Sequence, residues 1–323
     1  MPSLKEIKTR IASVNSTRKI TSAMKMVASS KLHHAQVAIQ NMLPYEELLE
    51  HILKSFLVST PVAQSNYERS HKKLERVALV VFSSNSSLCG GFNSNVIRSM
   101  LHAVDEYKAQ GVDDIIIYPI GRKVAEKAQK LGLKTAGDFQ SLAEKPNASE
   151  CATIAHELGE LYLKNEIDKV ELIYHHFKSA GSQILTRKTY LPIDLSAEQI
   201  GADNDRDLTS NVATQKAQEY LRQRDAQAGR VVEAAVPLND DFIVEPDLKT
   251  VLGTLIPKFL RLMVYTALLD SVASEHAARM VAMQTATDNA DELLRELNLQ
   301  YNKSRQQAIT NELLDIVGGS VNN

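Results

Sequence analysis

Residues 258–317 read KFLRLMVYTALLDSVASEHAARMVAMQTATDNADELLRELNLQYNKSRQQAITNELLDIV and contain neither glycine nor proline. The stretch is rich in residues that lose little conformational freedom in a helix, such as alanine, leucine, lysine and glutamate. In alternating steps of three and four residues from Phe259 to Ala308, eleven of fifteen positions are apolar. That spacing is the heptad of a coiled coil. The helix would be roughly 90 Å long, so it must project from a body whose radius of gyration is roughly 20 Å.

The chain opens with a second stretch of the same kind, because residues 3–43 also lack glycine and proline. Ser3 and Glu6 have the spacing of a capping box, which satisfies the first amides of a helix. The apolar pattern here slips phase around residues 15–18, and such a slip changes the supercoil locally. On either side of the slip the apolar positions are Leu4, Ile7, Ile11 and Val14, then Met24, Ala28, Ala35, Ala38 and Met42.

The two stretches together predict an antiparallel two-helix coiled coil made from the chain ends, with the middle folded between them. We expect Pro257 to mark the start or a kink of the C-terminal helix. Gly318 and Gly319 have the residue type that ends helices in the left-handed conformation. The predicted segments are 1–60 for the N-terminal helix and 247–319 for the C-terminal helix.

In the middle of the chain the apolar residues no longer follow the heptad spacing. Strands are predicted at 76–82, at 114–118 where Pro119 ends the strand, at 170–177 and at 183–191, and helices at 93–110, 123–131 and 150–165. Strands alternating with helices predict a Rossmann-like α/β domain, residues 75–192, with a mostly parallel sheet. Residues 194–247 carry 12 acidic and 5 basic residues. We interpret 193–246 as an acidic insertion and connection, partly helical over 211–227.

Composition excludes several classes of protein. The chain has 37 Lys and Arg against 39 Asp and Glu, so it has no global basic charge to bind nucleic acid. Its two cysteines, Cys89 and Cys151, lack the spacing of a zinc site, and a disulfide scaffold is not indicated. The longest apolar runs are shorter than the roughly 20 residues that cross a bilayer. We therefore expect no membrane span and no secretion signal.

The central domain carries fragments of catalytic and metal-binding motifs. Residues 86–93 (SSLCGGFN) follow the first strand, where a phosphate loop would lie. They match neither GxGxxG nor GxxxxGK[ST], which favours a tight structural turn. The residues after Gly121 are interpreted as a helix start. His156 lacks the second histidine of HExxH and is interpreted as a surface residue. The adjacent pairs His33–His34 and His175–His176 point in different directions, so neither predicts a metal site.

The first 31 residues carry seven basic residues against Glu6 alone. A solvated helix face and a face directed at an acidic partner are both compatible with this charge pattern. The basic residues are Lys5, Lys8, Arg10, Arg18, Lys19, Lys25 and Lys31.

Six stretches together resemble the gamma subunit family of F-type ATP synthases. They lie at both ends and in the middle, so the resemblance covers nearly the whole chain apart from the acidic insertion. The stretches are 7–14 (IKTRIASV), 18–28 (RKITSAMKMVA), 86–93 (SSLCGGFN), 273–280 (ASEHAARM), 286–290 (ATDNA) and 301–312 (YNKSRQQAITNE).

This resemblance implies a central rotor shaft that couples rotation of the membrane c-ring to conformational changes of the catalytic beta subunits. The implied partners are alpha and beta subunits in a 3:3:1 complex with this chain, an epsilon subunit and the c-ring. The resemblance implies that this chain is not itself catalytic and binds no cofactor, with ATP, ADP and Mg held by alpha and beta. Because no presequence is visible, we expect a peripheral protein at the cytoplasmic face of a bacterial inner membrane.

The resemblance also assigns contact residues. Those near the acidic lever of beta are Arg18, Lys19, Met24, Lys25 and Arg279. A polar catch near the shaft tip corresponds to Arg305, Gln306, Thr310 and Glu312. The c-ring contact corresponds to Phe242 and Glu245, whereas Val244 departs from an aromatic often found there.

The segment 193–238 falls where photosynthetic members of the family carry a regulatory insertion. It contains no cysteine, so a thiol switch is excluded. Its net charge of −7 over 194–247 predicts docking on a basic surface, as a hypothesis.

Two alternatives remain at this point. One is a stand-alone α/β enzyme with a coiled-coil oligomerisation arm, against which the missing motifs count. The other is an extended coil that tethers two partners, for example in chromosome organisation, which the charge balance does not favour.

Overall fold

The computed structural model of the protein describes residues 3–59, 67, 74–193, 245 and 247–320. The chain divides into two compact units, Met1–Ala28 with Arg279–Asn323, and Ser29–Ala278. Two long helices contribute to both units. They are α1 (Leu4–Ser59) and α5 (Leu248–Ser320).

The first unit is an antiparallel helix pair. Arg18 bonds to Asp291 and Thr21 bonds to Thr287, so residue numbers rise on α1 as they fall on α5. This confirms the predicted antiparallel coiled coil of the chain ends. The capping box is also confirmed, because Ser3 N donates to Glu6 Oε2 at 2.9 Å and Glu6 N donates to Ser3 Oγ at 3.3 Å.

The heptad of α5 is confirmed in this unit, where positions in steps of three and four residues from Met283 to Ala308 are buried or half-buried. On α1 the predicted phase slip is wrong. The same stepping continues from Val14 through Arg18 and Thr21, each of which is buried or half-buried. The heptad was hidden in the sequence because Arg18 and Thr21 are polar residues at seam positions. Their side chains hydrogen-bond across the helix pair, to Asp291 and Thr287 respectively.

The predicted extent of the C-terminal helix, 247–319, agrees with α5 to within one residue at each end, but neither Pro257 nor the two glycines set these ends. Pro257 lies inside α5, and Gly318 and Gly319 lie in the helix as well, which ends at Ser320. The start is set instead by Asp247, whose Oδ1 accepts from Thr250 N at 2.9 Å and whose Oδ2 accepts from Thr250 Oγ1 at 2.8 Å. An aspartate in this position satisfies a free amide of the first turn.

The second unit contains the α/β domain, which confirms the predicted fold class. Its sheet has the order β3-β2-β1-β4-β5, in which β5 runs antiparallel to β4 and all other neighbours are parallel. The elements are β1 (Arg76–Phe82), α2 (Phe92–Ala109), β2 (Asp114–Ile120), α3 (Arg122–Lys130), β3 (Lys134–Thr135), a 3-10 helix (Gln140–Ala143), α4 (Ala148–Leu163), β4 (Lys169–Ser179) and β5 (Ser182–Leu191).

Strand β2 does not stop at Pro119, as the sequence indicated, but pairs through Pro119 with Val81 of β1. Proline is tolerated where its missing N–H faces no partner strand. Here β3 pairs only with Ile116 and Ile117, so the strand ladder on the outer side of β2 ends before Pro119. The short β3 and the 3-10 helix were not predicted.

The core of the domain forms where α2 packs on the sheet. Burying these side chains is the main favourable contribution to folding. The cluster includes Val96, Met100 and Tyr107 of α2 with Leu79 of β1 and Ile117 of β2.

Within the described residues, one helical segment, Thr250–Leu314, is long and apolar enough to cross a membrane by length and composition alone. This is weak evidence against the expectation of no membrane span, because core helices of soluble proteins meet the same criterion. Leu260, Val264 and Leu268 of this segment are buried inside the protein.

Candidate partner-binding surfaces

The loop after β1 lies at the carboxyl end of the parallel strands, where an α/β sheet usually binds ligands. The side chain of Asn93 fills this position. Its Oδ1 accepts from Ser84 N at 3.1 Å, and its Nδ2 donates to Ser84 Oγ at 2.8 Å, to Ser86 O at 3.2 Å and to Cys89 Sγ at 3.1 Å. Because the loop uses its polar groups on one another, the geometry supports the structural-turn interpretation of residues 86–93.

A second loop at the same edge is also packed tightly. Gly121 has a φ of +103°, and a Cβ there would lie 2.1 Å from Ser83 O. The next residues begin α3, where Arg122 N donates to Asn85 Oδ1 at 2.8 Å and Val124 N donates to Ser83 Oγ at 3.1 Å. The interpretation of this segment as a helix start is confirmed.

The histidine pair on β4 is split between two environments. The His175 ring stacks on Phe92 with centroids 4.5 Å apart, and burial lowers its pKa to about 4. His176 Nδ1 lies 2.8 Å from Asp270 Oδ2. The two rings therefore have different neighbours, as predicted, and do not converge on one site. His156 lies at the surface and pairs with Glu160 at 3.2 Å, which confirms its interpretation.

The N-terminal basic residues divide into two groups. Lys5, Lys8, Arg10, Lys19 and Lys31 are exposed. Arg18 instead points across the helix pair to Asp291. A predicted partner contact is therefore already engaged inside this unit, and Lys19 beside it is the exposed cation.

Exposed apolar side chains accompany the predicted contacts on α1. Met24 is half-buried and shares a helix face with Ile20 and Val27, four residues before it and three after it, which are 59% and 58% exposed. Residues at this spacing are neighbours on a helix surface. Exposed apolar groups that cluster in this way are typical of protein-binding surfaces.

Helix α5 repeats this arrangement near its end. Leu299 lies seven residues before Gln306 and Leu313 lies seven residues after it, so the three share a helix face. The two leucines are 71% and 58% exposed. Ile309 is also exposed and stands between Arg305 and Glu312, four residues after the first and three before the second. Thr310 is exposed, and its hydroxyl donates to Gln306 O at 2.9 Å.

Sequence reasoning missed these apolar residues. The signal that would have found them is leucine, isoleucine or methionine outside the heptad seam of a helix, where a solvated coil carries polar residues. The missed exposed residues are Ile20, Met26, Val27, Leu299, Ile309, Leu313 and Leu314.

The remaining predicted contacts lie apart from these faces. Arg279 is half-buried and has interaction partners within the protein. Lys25 is half-buried on the seam of α1, and Glu245 is exposed. Phe242 lies outside the described residues, as does the acidic insertion 193–246 except Ile193 and Glu245. The contact assignments stay predictions.

Comparison with known proteins shows the class to which this architecture belongs. The family model described as ATP synthase matches residues 3–321. The ATP synthase gamma chain of Phocaeicola vulgatus is 53% identical over 321 residues, which cover 99% of this chain and 100% of that one.

Two solved structures have a similar fold. A chain of the Tetrahymena thermophila mitochondrial ATP synthase central stalk and c-ring aligns with a TM-score of 0.54 and 25% identity, over 83% of this chain and 99% of that one. A chain of the Euglena gracilis mitochondrial ATP synthase aligns with a TM-score of 0.60 and 19% identity, over 98% and 93% of the two chains.

The antiparallel pair of terminal helices with an α/β domain between them is thus a fold of the ATP synthase stalk. The chain belongs to the ATP synthase gamma chain family.

Proposed function

We propose that this chain is the central rotor shaft of a bacterial F-type ATP synthase, which couples rotation of the c-ring to conformational changes of the catalytic beta subunits. The observation that carries the proposal is the helix pair of the first unit, whose outward faces carry exposed cations and apolar residues together. An asymmetric shaft acts by stabilising one set of partner conformations over the others at each angle, through differential contact energy.

The proposed partners are three alpha and three beta subunits around the helix pair, an epsilon subunit, and the c-ring. Through this complex the chain would be peripheral to the cytoplasmic face of the inner membrane. Support comes from the bacterial relatives named as ATP synthase gamma chains and from the family membership of this chain.

The chain would be non-catalytic and would bind no cofactor, with ATP, ADP and Mg on alpha and beta. The internal bonding of the loop around Asn93 supports this part of the proposal. Its test is equilibrium dialysis of the isolated chain with Mg and labelled ATP. Stoichiometric binding would favour the alternative of a stand-alone α/β enzyme with an oligomerisation arm.

The first experiment combines the chain with alpha and beta subunits of the same organism and measures ATP hydrolysis. We expect chain-dependent activity in a 3:3:1 complex, weakened by truncation after Gln300. A finer variant replaces the exposed Ile20 and Val27 by glutamine, a good helix former, which should lower activity with little change in coil stability. Ser16→Ala, at an exposed position of the same helix, is the control. If alpha and beta assembled and were fully active without the chain, the proposed role as a rotor shaft would be wrong.

The acidic insertion is proposed to regulate ATP hydrolysis by docking on a basic surface. Deletion of residues 196–236 should then change the hydrolysis rate or its inhibition in the assembled complex. Unchanged rates and inhibition would exclude a regulatory role and leave the shaft proposal intact.

A further inference from the structure

We infer that three buried hydrogen bonds from β4 and β5 hold α5 in one axial and angular register on the α/β domain and so position this helix to transmit torque. The inference rests on the proposed function. His176 Nδ1 lies 2.8 Å from Asp270 Oδ2, Ser274 Oγ donates to His175 O at 3.1 Å, and Tyr190 Oη donates to Leu260 O at 3.2 Å. All of these residues lie in the unit Ser29–Ala278.

The spacing of the three attachment points matters for register. Asp270 and Ser274 are four residues apart and therefore lie on one face of α5. Leu260 is ten residues before Asp270, which is about 15 Å along a helix. Bonds at points separated along the axis oppose both sliding and rotation of the helix against the sheet.

Apolar packing alone would not supply this restraint, because the hydrophobic effect has no direction. Hydrogen bonds have narrow limits of distance and angle. A rotation of α5 by one residue would separate the Asp270 side chain from His176, and a buried polar group that loses a hydrogen bond costs free energy. The observed register of α5 on the sheet is therefore more stable than registers shifted by one residue.

The His176–Asp270 pair is deeply buried. The side chain of Asp270 is 1% exposed and that of His176 is 5% exposed. Buried pairs of titratable groups are a poor source of stability, since apolar residues of similar volume often stabilise as well or better. In some proteins such a pair specifies one arrangement of the fold, which is the property that a torque-bearing junction needs.

The sheet side of the junction is well anchored. Strand β4, which carries His175 and His176, pairs with β1 on one side and β5 on the other. Tyr190, on β5, is fully buried. A load applied to the domain is thus shared by three strands before it reaches α5.

The test uses the assembled complex in membrane vesicles and measures ATP hydrolysis and ATP-driven proton pumping on the same preparation. The double variant His176→Leu with Asp270→Leu removes the polar pair and retains apolar packing. We expect assembly and hydrolysis near the parental rate, with protons pumped per ATP reduced about twofold or more. The single variant Asp270→Asn keeps a hydrogen-bonding group at this position and should pump as many protons per ATP as the parent.

A matched control replaces Glu160 and Lys164 by leucine, because this exposed pair lies at the C-terminal end of α4 in the same domain, with Lys164 as the C-cap. Its pumping per ATP should equal that of the parent. Normal pumping per ATP in the His176 and Asp270 leucine variant would overturn the inference.

If the leucine variant fails to assemble, Ser274→Ala combined with Tyr190→Phe decides the matter, since it removes two hydroxyl groups and almost no volume. Reduced pumping per ATP is expected, and parental pumping would overturn the inference. A parent chain that supports no chain-dependent hydrolysis would instead contradict the proposed function.

Discussion

The Arg18 guanidinium donates to the Asp291 carboxylate across the helix pair, with Nη1 2.9 Å from Oδ1. The two side chains remain 39% and 41% exposed, so solvent screens the pair and its contribution to stability is about 0.2–1 kcal/mol. The pair and the Thr21–Thr287 contact define the register of α1 against α5. They also place the Arg18 guanidinium across the helix pair.

This register predicts a disulfide between the helices. The hydroxyl oxygens of Thr21 and Thr287 are 2.8 Å apart, so cysteines at these positions have the proximity that a disulfide requires. Oxidation of the Thr21→Cys, Thr287→Cys variant should close an intramolecular bond, detected by a non-reducing gel and by mass spectrometry of the linked peptides.

The control for this experiment pairs Thr21→Cys with Thr285→Cys, because Thr285 is exposed and points to another face of α5. It should stay reduced under the same conditions. Equal cross-linking of the two variants would mean that the register is different.

Gly121 should be intolerant of any side chain. Its φ is +103°, and a Cβ would approach Ser83 O to 2.1 Å. Gly121→Ala should lower the free energy of unfolding by about 3 kcal/mol, because strain and overpacking add. Gly132→Ala is the comparison, since Gly132 has a φ of +65° and no neighbour within 4 Å, and should cost about 1 kcal/mol. Urea unfolding of both variants measures the difference, and equal losses would contradict the close approach.

The buried ring of His175 predicts an acid-dependent loss of stability. Burial lowers its pKa from 6.5 to about 4, so the unfolded chain binds the proton more readily than the native chain. The neutral ring therefore contributes stability that is complete above pH 6.5 and is lost as the pH falls toward 4. The loss is about 3 kcal/mol.

Urea unfolding of the parent and of His175→Leu between these pH values measures this contribution. The variant should show a shallower decline, whereas His156→Leu, at an exposed position of α4, should keep the parental decline. An unchanged decline in His175→Leu would assign the pH dependence to other groups.

The two cysteines should be unreactive in the native state. Cys151 is fully buried, and burial, assisted by Glu150, raises the pKa of its thiol to about 12. Cys89 is 2% exposed and its sulfur accepts from Asn93. Because the thiolate is the reactive form, iodoacetamide at pH 8 should label neither cysteine until urea is added. Rapid labelling of the native chain, measured by intact mass, would contradict this burial.

Sequence patterns predicted the elements whose formation depends on neighbouring residues. The capping box at Ser3 and Glu6, strand β1 and the heptad of α5 are examples, since each depends on residue type and spacing. These patterns gave wrong predictions where a residue far along the chain determines the local structure. Pro119 remains in a strand because β3 is short, and Arg18 belongs to the helix seam because Asp291 lies opposite.

The candidate surfaces show the same division. The basic residues of α1 were visible in the sequence, and their engagement or exposure was not. The pairing of His176 with Asp270 joins residues 94 positions apart, which no local pattern predicts.

The sequence by itself determined two long terminal helices with an α/β domain between them, because helix propensity, capping and periodicity act over a few residues. Only the tertiary structure decided the register of the helix pair, the closed loop around Asn93 and the attachment of α5 to the sheet. The physical reason is that these features depend on which buried polar groups find partners, and a partner far along the chain is chosen by folding rather than by spacing.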